Sequence, residues 1–195
     1  MVACQPSQNN VGENWADSGQ HDAPTESGTP AGGGTGGDDA PPDPTADVDA
    51  TTLGAGPNPC REPVLGRVYS VIDGDTIKVE TGRGMERVRL IGIDAPEVDH
   101  SGPDDECYGE EATEFLEERI NEKLVWLTFD SECDDHYDRT LAYVHTHEAF
   151  IQRSLLESGM VSAYRVSPNT SFSTAFQADE DTARAMDVGM WGACP

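Results

Sequence analysis

Four carboxylates and one arginine stand at the ends of two apolar, β-branched runs near the middle of the chain. Asp73 and Asp75 follow the first run, whereas the second contains Arg89 and leads into Asp94 and Glu97. Carboxylates that converge from neighbouring strands suit a hard cation such as Ca²⁺, which takes oxygen ligands. The arginine would add a fork for phosphate beside that cation. A cation, a guanidinium and a free carboxylate are the groups that phosphodiester cleavage needs.

The same residues also have an ordinary structural interpretation. Asp73 and Asp75 stand on either side of a glycine, and Asp-Gly pairs are typical of hairpin turns. Arg89 could instead lie on a strand and pair with a surface acid. We favour the site, because Asp94 and Glu97 follow the second run in register with the first pair of acids.

Hydrophobic periodicity predicts the elements that must position these groups. Strands are predicted at residues 64–72, 76–80, 86–93, 124–130 and 140–145, and helices at residues 110–121, 148–158 and 171–186. Three strands, a helix, two strands and two helices form an α+β pattern. Five short strands with a helix between the third and the fourth fit a small closed β-barrel of the OB-fold type, with about three helices.

The charge of the chain is strongly acidic and unevenly distributed. The net charge of −25 divides into −9 for residues 1–60, which contain no Lys or Arg, and −16 for the rest. Non-specific affinity for phosphates comes from Lys and Arg. This composition therefore excludes a passive nucleic-acid binder, and a nucleic-acid substrate would need a bound cation and a few focused arginines. Solubility, or life at high salt, would also explain much of the charge.

The chain divides into two parts of different composition. Residues 1–60 are rich in Gly and Pro and poor in large apolar residues, so they cannot bury enough surface to offset the entropy of ordering. We predict a disordered acidic tether over residues 1–60 and one folded domain over residues 61–195. Neither part contains an apolar stretch long enough to span a bilayer or the apolar core of a signal peptide.

The start of the chain resembles the cleavage junction of a bacterial lipoprotein. Two small residues precede Cys4, and a long polar segment follows it. We therefore predict lipidation at Cys4, the alternative being an ordinary start with a stray cysteine. An anchor of this kind would be the chain's contact with the membrane.

The other four cysteines allow three disulfide pairings. Cys60 and Cys194 bracket the folded part, and the ends of a domain often lie close together. This favours Cys60–Cys194 together with Cys107–Cys133. Disulfides imply an oxidising compartment, either the periplasm or the cell exterior.

Five sequence blocks come in a fixed order along the folded part: Asp73–Thr76, Arg89–Glu97, Tyr108–Ala112, Asp135–Val144 and Gly189–Trp191. In this order and spacing they resemble the staphylococcal (thermo)nuclease family over about residues 64–192. The resemblance implies an OB-fold domain that hydrolyses DNA and RNA with Ca²⁺, cutting the P–O5′ bond to leave 3′-phosphates.

The resemblance also implies a role for each matching residue. Asp75 and Asp94 would be metal ligands, the backbone carbonyl of Ala95 would be a third, and Asp73 would lie in the outer coordination sphere. Familiar members have threonine where this chain has Ala95, a change that keeps a carbonyl ligand. Glu97 would orient or deprotonate the attacking water, two roles that the sequence leaves open.

The phosphate-binding arginines would be Arg89 and Arg139. The residue before the second of these is ordinarily glycine in the family, and here it is Asp138. A carboxylate at this position could pair with Arg139 and weaken phosphate binding, or it could point away. Replacing Arg89 or Glu97 is expected to reduce the rate by orders of magnitude with little change in the thermal midpoint.

Further polar residues are open to two interpretations. Tyr137 and Tyr164 match positions where the family contacts nucleotide groups, although half-buried tyrosines are also common on a barrel rim. His145 and His147 have a spacing that can hold metal on a strand face, but surface histidines explain them better. The acidic loop at residues 99–106 is interpreted as solvated rather than as a second Ca²⁺ site.

These observations favour a monomeric, exported Ca²⁺-dependent nuclease that acts on DNA, RNA or both and is located at the cell envelope or secreted. The alternative is a non-catalytic OB-fold module of the same family, used for binding. Such modules ordinarily lose an arginine or an acid, whereas this chain retains the full set.

Overall fold

The computed structural model describes residues 43–98 and 106–195. Cys4, the first 42 residues of the predicted tether and most of the predicted acidic loop lie outside the described residues. Within the described ranges, no helix is both long enough and apolar enough to cross a membrane.

The described part of the chain contains seven strands and four α-helices. The strands are β1 (Val64–Asp73), β2 (Thr76–Thr81), β3 (Gly84–Leu90), β4 (Ile93–Asp94), β5 (Leu124–Thr128), β6 (Thr140–His145) and β7 (Ser162–Ala163). The helices are α1 (Gly109–Ile120), α2 (Ile151–Glu157), α3 (Ser173–Ala185) and α4 (Met190–Ala193). All eight elements predicted from periodicity are present, with ends shifted by a few residues.

Five of the strands close into a barrel in the order β1-β2-β3-β6-β5, and the predicted five-stranded α+β barrel is therefore confirmed. Neighbouring strands are antiparallel except for β3 and β6, which run parallel with Arg89 opposite Leu141. Alternation positions the core: Ile77 and Val79 of β2 are fully buried, whereas Lys78 and Glu80 face outward. The candidate site lies at the end of the barrel where β3 finishes and β6 begins.

The strand predicted at residues 86–93 is interrupted after Leu90. The chain turns at Gly92, whose φ is +84°, and a Cβ there would lie 2.7 Å from the ring of Phe176. After the turn, β4 pairs with β7 in a separate two-stranded sheet, with Asp94 opposite Ser162. The break moves Asp94 out of the barrel wall, so that it lies above the barrel end.

The folded part begins earlier than the predicted boundary at residue 61. The carboxylate of Asp43 accepts a hydrogen bond from the backbone N–H of Leu124 (3.0 Å), and Trp126 Nε1 donates to the carbonyl of Thr45 (2.9 Å). Residues 43–60 therefore form a strap across the barrel. Composition missed the strap because it is held by polar contacts and caps, with few large apolar side chains.

The strap also explains why the interpretation of His145 as a surface residue was wrong. Its Nε2 lies 3.1 Å from the carbonyl oxygen of Gly54 and 3.1 Å from the hydroxyl of Thr128, and the ring is buried. Burial lowers the pKa of His145 to about 4, so the ring is neutral at pH 7. His147 is exposed, and its Nδ1 lies 3.3 Å from Thr45 Oγ1.

The two disulfides have a different pairing from the predicted one. Cys60 is joined to Cys133 and Cys107 to Cys194, with Cα–Cα distances of 5.7 and 5.9 Å. The prediction was wrong because Cys60 does not stand at the start of the folded part. The strap precedes it, and the backbone N–H of Cys60 donates to the carbonyl of Asp130 (2.7 Å), which brings Cys60 beside Cys133.

Candidate active site

The turn between β1 and β2 positions the first two acids. The backbone N–H of Asp75 donates to the carboxylate of Asp73 (3.0 Å), which fixes the turn. Oδ1 of Asp75 accepts from the hydroxyl of Thr76 (2.9 Å), and Oδ2 accepts from the backbone N–H of Ala95 (2.9 Å). The turn is therefore compatible with the site interpretation, because the carboxylate of Asp75 contacts the backbone of Ala95 beyond it.

Arg89 connects the acids of the two predicted runs. Its Nη2 lies 2.9 Å from Asp75 Oδ2 and 2.8 Å from Asp94 Oδ1. Its Nη1 donates to the carbonyls of Leu90 (3.0 Å) and Ile93 (2.8 Å). The guanidinium group of Arg89 thus bridges two carboxylates, because its Nη2 contacts one oxygen of each.

The electrostatics of this cluster leave negative charge in excess. Asp75 is buried and Asp73 stands two residues away, while Arg89 is the nearby counter-ion. Burial raises the pKa of Asp75 to about 6, even though Arg89 and the Ala95 N–H favour the carboxylate. A cation added at this point would relieve the repulsion between the acids.

The donor set around Asp75 is made of oxygen atoms, which suits a hard cation. In the part of the chain that the structure describes, no three His, Cys, Asp or Glu side chains converge as a metal site. The ligands that the resemblance implied are two carboxylates, of Asp75 and Asp94, and the carbonyl of Ala95. This set is incomplete by itself and fits a cation such as Ca²⁺ that fills its remaining positions with water or substrate.

Arg139 faces the same cleft as Arg89. The cleft has a volume of about 480 Å³ and an apolar wall that includes Leu141, Val166 and Pro168. Arg89 lies on β3 and Arg139 directly precedes β6, which runs parallel to β3 with Leu141 opposite Arg89. The cleft therefore combines two guanidinium groups with an apolar surface.

Asp135 holds Arg139 in position. Its Oδ2 accepts from Nε (2.8 Å) and lies 2.7 Å from Nη2 of Arg139, and its Oδ1 accepts from the backbone N–H groups of Tyr137 and Arg139. Burial acts to raise the pKa of Asp135, but these hydrogen bonds outweigh it and hold the pKa below its usual value. Sequence reasoning assigned Asp135 no role. The available signal was an acidic residue four positions before Arg139, with a turn between them.

Comparison with known proteins gives the family. The family model described as "Staphylococcal nuclease homologue" matches residues 87–193, more than half of the chain. The chain belongs to the staphylococcal nuclease family.

Relatives with nuclease names support this assignment. The chain is 33% identical over 124 residues to the thermonuclease of Staphylococcus intermedius, a match that covers 64% of this chain and 74% of that protein. It is 35% identical over 122 residues to the SPbeta prophage-derived endonuclease YokF of Bacillus subtilis (strain 168), covering 62% of this chain and 41% of YokF. The chain thus spans less than half of YokF. These similarities support a nuclease-family function.

The remaining residues that the nuclease family resemblance implied are placed less tightly. Glu97 is exposed three residues after Asp94, and its backbone N–H donates to the carboxylate of Glu106 (3.1 Å). In the described ranges, neither candidate phosphate-binding arginine forms an ion pair with Glu97. Tyr137 and Tyr164 are exposed by 66% and 52%, more than the half-buried rim interpretation expects.

Asp138, the residue that departs from the family pattern, has a φ of +59°, in the left-handed region that favours glycine. Its side chain is exposed, and the ion pair of Arg139 is with Asp135. The residue at position 138 therefore affects the protein through its backbone conformation more than through its charge.

We expect Asp138→Gly to raise the free energy of unfolding by about 0.5–1 kcal/mol, because glycine adopts this conformation without strain. Asp138→Ala should lower it, and Asp138→Asn should leave it nearly unchanged. Chemical denaturation of the three variants checks this order. A cleavage rate that rises in Asp138→Asn would show instead that the charge of Asp138 opposes phosphate binding.

Proposed function

We propose that this chain is a Ca²⁺-dependent nuclease that hydrolyses phosphodiester bonds in DNA, RNA or both to leave 3′-phosphates. The observation that carries the proposal is the bridge formed by Arg89 between Asp75 and Asp94, at the edge of a cleft that also contains Arg139. The acids that we propose for a cation and the arginines that we propose for a phosphate lie at one end of the barrel.

The proposed metal ligands are Asp75, Asp94 and the carbonyl of Ala95, with Asp73 in the outer coordination sphere. The excess negative charge around the buried Asp75 supports this assignment. When bound, Ca²⁺ would supply positive charge to a phosphate oxygen and lower the cost of bringing an anion to an acidic surface.

The proposed catalytic arginines are Arg89 and Arg139. Both line the cleft, and guanidinium groups match phosphate oxygens. Their charge would stabilise the equatorial oxygens as phosphorus becomes five-coordinate. Arg139 is held by Asp135, so it would meet the phosphate with little reorganisation.

Glu97 is the proposed group that orients the attacking water or accepts its proton. It stands three residues after Asp94, is exposed, and has its backbone fixed by Glu106. Tyr137 and Tyr164 are the proposed contacts to nucleotide groups, since both present exposed rings near the cleft arginines.

The two disulfides support export to an oxidising compartment, because such bonds are rare where thiols are kept reduced. We further propose that the protein acts as a monomer at the cell envelope or outside the cell. Cys4 remains the proposed site of lipidation.

Digestion of plasmid DNA and of RNA, with Ca²⁺ and with chelator, tests the proposed function. We expect cleavage that depends on Ca²⁺ and products that end in 3′-phosphates. A salt series is included because ionic strength screens repulsion between substrate and an acidic protein.

Two variants sharpen the assay. Glu97→Gln should lower kcat by about 100-fold or more, whereas Glu118→Gln, an exposed position on α1, should keep the wild-type rate. Folded protein that binds DNA in chelator and never cleaves it would replace the nuclease by a binding module.

A further inference from the structure

A second groove adjoins the cleft that contains Arg89 and Arg139. It has a volume of about 490 Å³, close to that of the cleft, and is lined by Ala163, Arg165, Ser173, Thr174, Gln177 and Asp181. Gly92 and Tyr164 line both spaces. The exposed ring of Tyr164 therefore stands at the boundary between the cleft and this groove, which we call the flanking groove.

The fold fixes this boundary. Strand β7 pairs with β4, and directly after β7 the backbone N–H of Tyr164 donates to the carbonyl of Gly92 (2.9 Å). The same short sheet contains Asp94, opposite Ser162. A rigid two-stranded unit thus carries a candidate metal ligand on one strand and leads into Tyr164 and Arg165 from the other.

Arg165 supplies the positive charge of the flanking groove. Arg89, Arg139, Arg153 and Arg184 each form ion pairs, whereas none of the acids in the described ranges lies within ion-pair distance of Arg165. Its side chain is exposed. In a chain with 12 cations and a net charge of −25, an arginine without a counter-ion beside the cleft is a local site for an anion.

The groove also contains one acid, Asp181, which accepts a hydrogen bond from Gln177 Nε2 (3.0 Å). The anion-binding part is therefore the Arg165 side of the groove. An aromatic ring beside a guanidinium is the combination by which proteins hold single strands, with a base stacked on the ring and a phosphate on the cation.

We propose that the flanking groove binds the nucleotide next to the one in the cleft, with a base against Tyr164 and a phosphate on Arg165. The inference rests on the proposed nuclease function and adds to it a substrate class, single-stranded nucleic acid that spans both spaces. The cleft and the flanking groove have nearly equal volumes and share Tyr164 as a wall. Each space therefore holds one of two successive nucleotides.

Cleavage of single-stranded oligonucleotides of increasing length tests this inference. The wild-type protein should show a higher kcat/KM for a dodecamer than for a dinucleotide. Arg165→Gln should lower the ratio of kcat/KM for the dodecamer to kcat/KM for the dinucleotide about tenfold, the loss expected for one charge-assisted contact. Arg83→Gln is the matched control, since Arg83 lies in the turn between β2 and β3 and lines neither space. Its length dependence should equal that of the wild type.

Binding measurements separate this inference from the proposed function. Fluorescence anisotropy of a labelled dodecamer should give, for Arg165→Gln, a slope of log Kd against log salt that is reduced by about 0.7, the value for one phosphate contact on a single strand. This readout applies even if no bond is cut. An Arg165→Gln protein that matches the Arg83→Gln protein in both length dependence and salt slope would overturn the inference and leave the nuclease function standing.

Discussion

Asp75→Asn should abolish Ca²⁺-dependent cleavage and, in the metal-free protein, raise the free energy of unfolding by about 3 kcal/mol at pH 7. The carboxylate of Asp75 is buried. The cost of removing it from water exceeds the stabilisation that Arg89 provides, so the pKa of Asp75 rises to about 6. Asparagine fits the same contacts. Its oxygen can accept from the Ala95 N–H and from Arg89, while its amide can donate to the Thr76 hydroxyl.

The stabilisation by Asp75→Asn should depend on pH in a defined direction. Between about pH 4, where an unfolded aspartate ionises, and about pH 6, the native state holds a proton that the unfolded state has lost. The stability of the wild type therefore falls through this window as pH rises, and that of the variant does not. The two proteins should have equal stability below the window and differ by a constant amount above it.

Urea denaturation in chelator at several pH values measures this difference. Asp47→Asn, an exposed position in the strap, is the control that removes a charge without removing a buried carboxylate. With Ca²⁺ present, the wild type should gain stability and the Asp75→Asn variant should not. A variant that is less stable than the wild type at pH 7 in chelator would contradict the account given for Asp75.

Arg89→Gln should have the opposite effect on the fold. We expect cleavage to fall by a factor of about 10³ or more, because the variant loses a guanidinium that stabilises charge on the phosphate. We also expect a loss of about 3 kcal/mol in the free energy of unfolding, because Asp75 would be left buried without its counter-ion. This differs from the small change in thermal midpoint expected from sequence, where the four contacts of Arg89 were not visible.

A double-mutant cycle of Asp75→Asn with Arg89→Gln measures the coupling between the two residues. The stability loss from Arg89→Gln should be smaller in the asparagine background, since no buried charge then remains unpaired. Arg89→Lys serves as the conservative variant, because it keeps the charge and loses the fork. Equal losses in both backgrounds would show that the two side chains act independently.

The strands and helices could be predicted from sequence because their periodicity reflects burial. In β2, Ile77 and Val79 alternate with exposed residues, and the five family blocks then identified the barrel. The break at Gly92 could not be predicted in the same way, because the apolar run continues across it. It depends on the ring of Phe176, which approaches from α3, far along the chain.

The candidate site was predictable as a set of residues and less so as a set of contacts. The sequence brought Asp75, Arg89 and Asp94 together, but it left open whether Asp138 pairs with Arg139 or points away. In the structure the ion pair of Arg139 is with Asp135. The backbone conformation of the turn brings the carboxylate of Asp135, and not that of Asp138, against Arg139. The disulfide pairing failed for a related reason, since composition does not reveal that polar residues 43–60 are held on the barrel.

The parallel pairing of β3 with β6 has a consequence for how this chain can vary. The spacing of the two cleft arginines depends on the register that sets Arg89 opposite Leu141, not on the 49 residues that lie between Arg89 and Arg139 in sequence. Loops between the strands can therefore gain or lose residues while the distance between the two cleft arginines stays the same. Two fragments, split within such a loop, should likewise restore it when they reassociate, whereas a slip of one residue between β3 and β6 would turn one arginine away from the other.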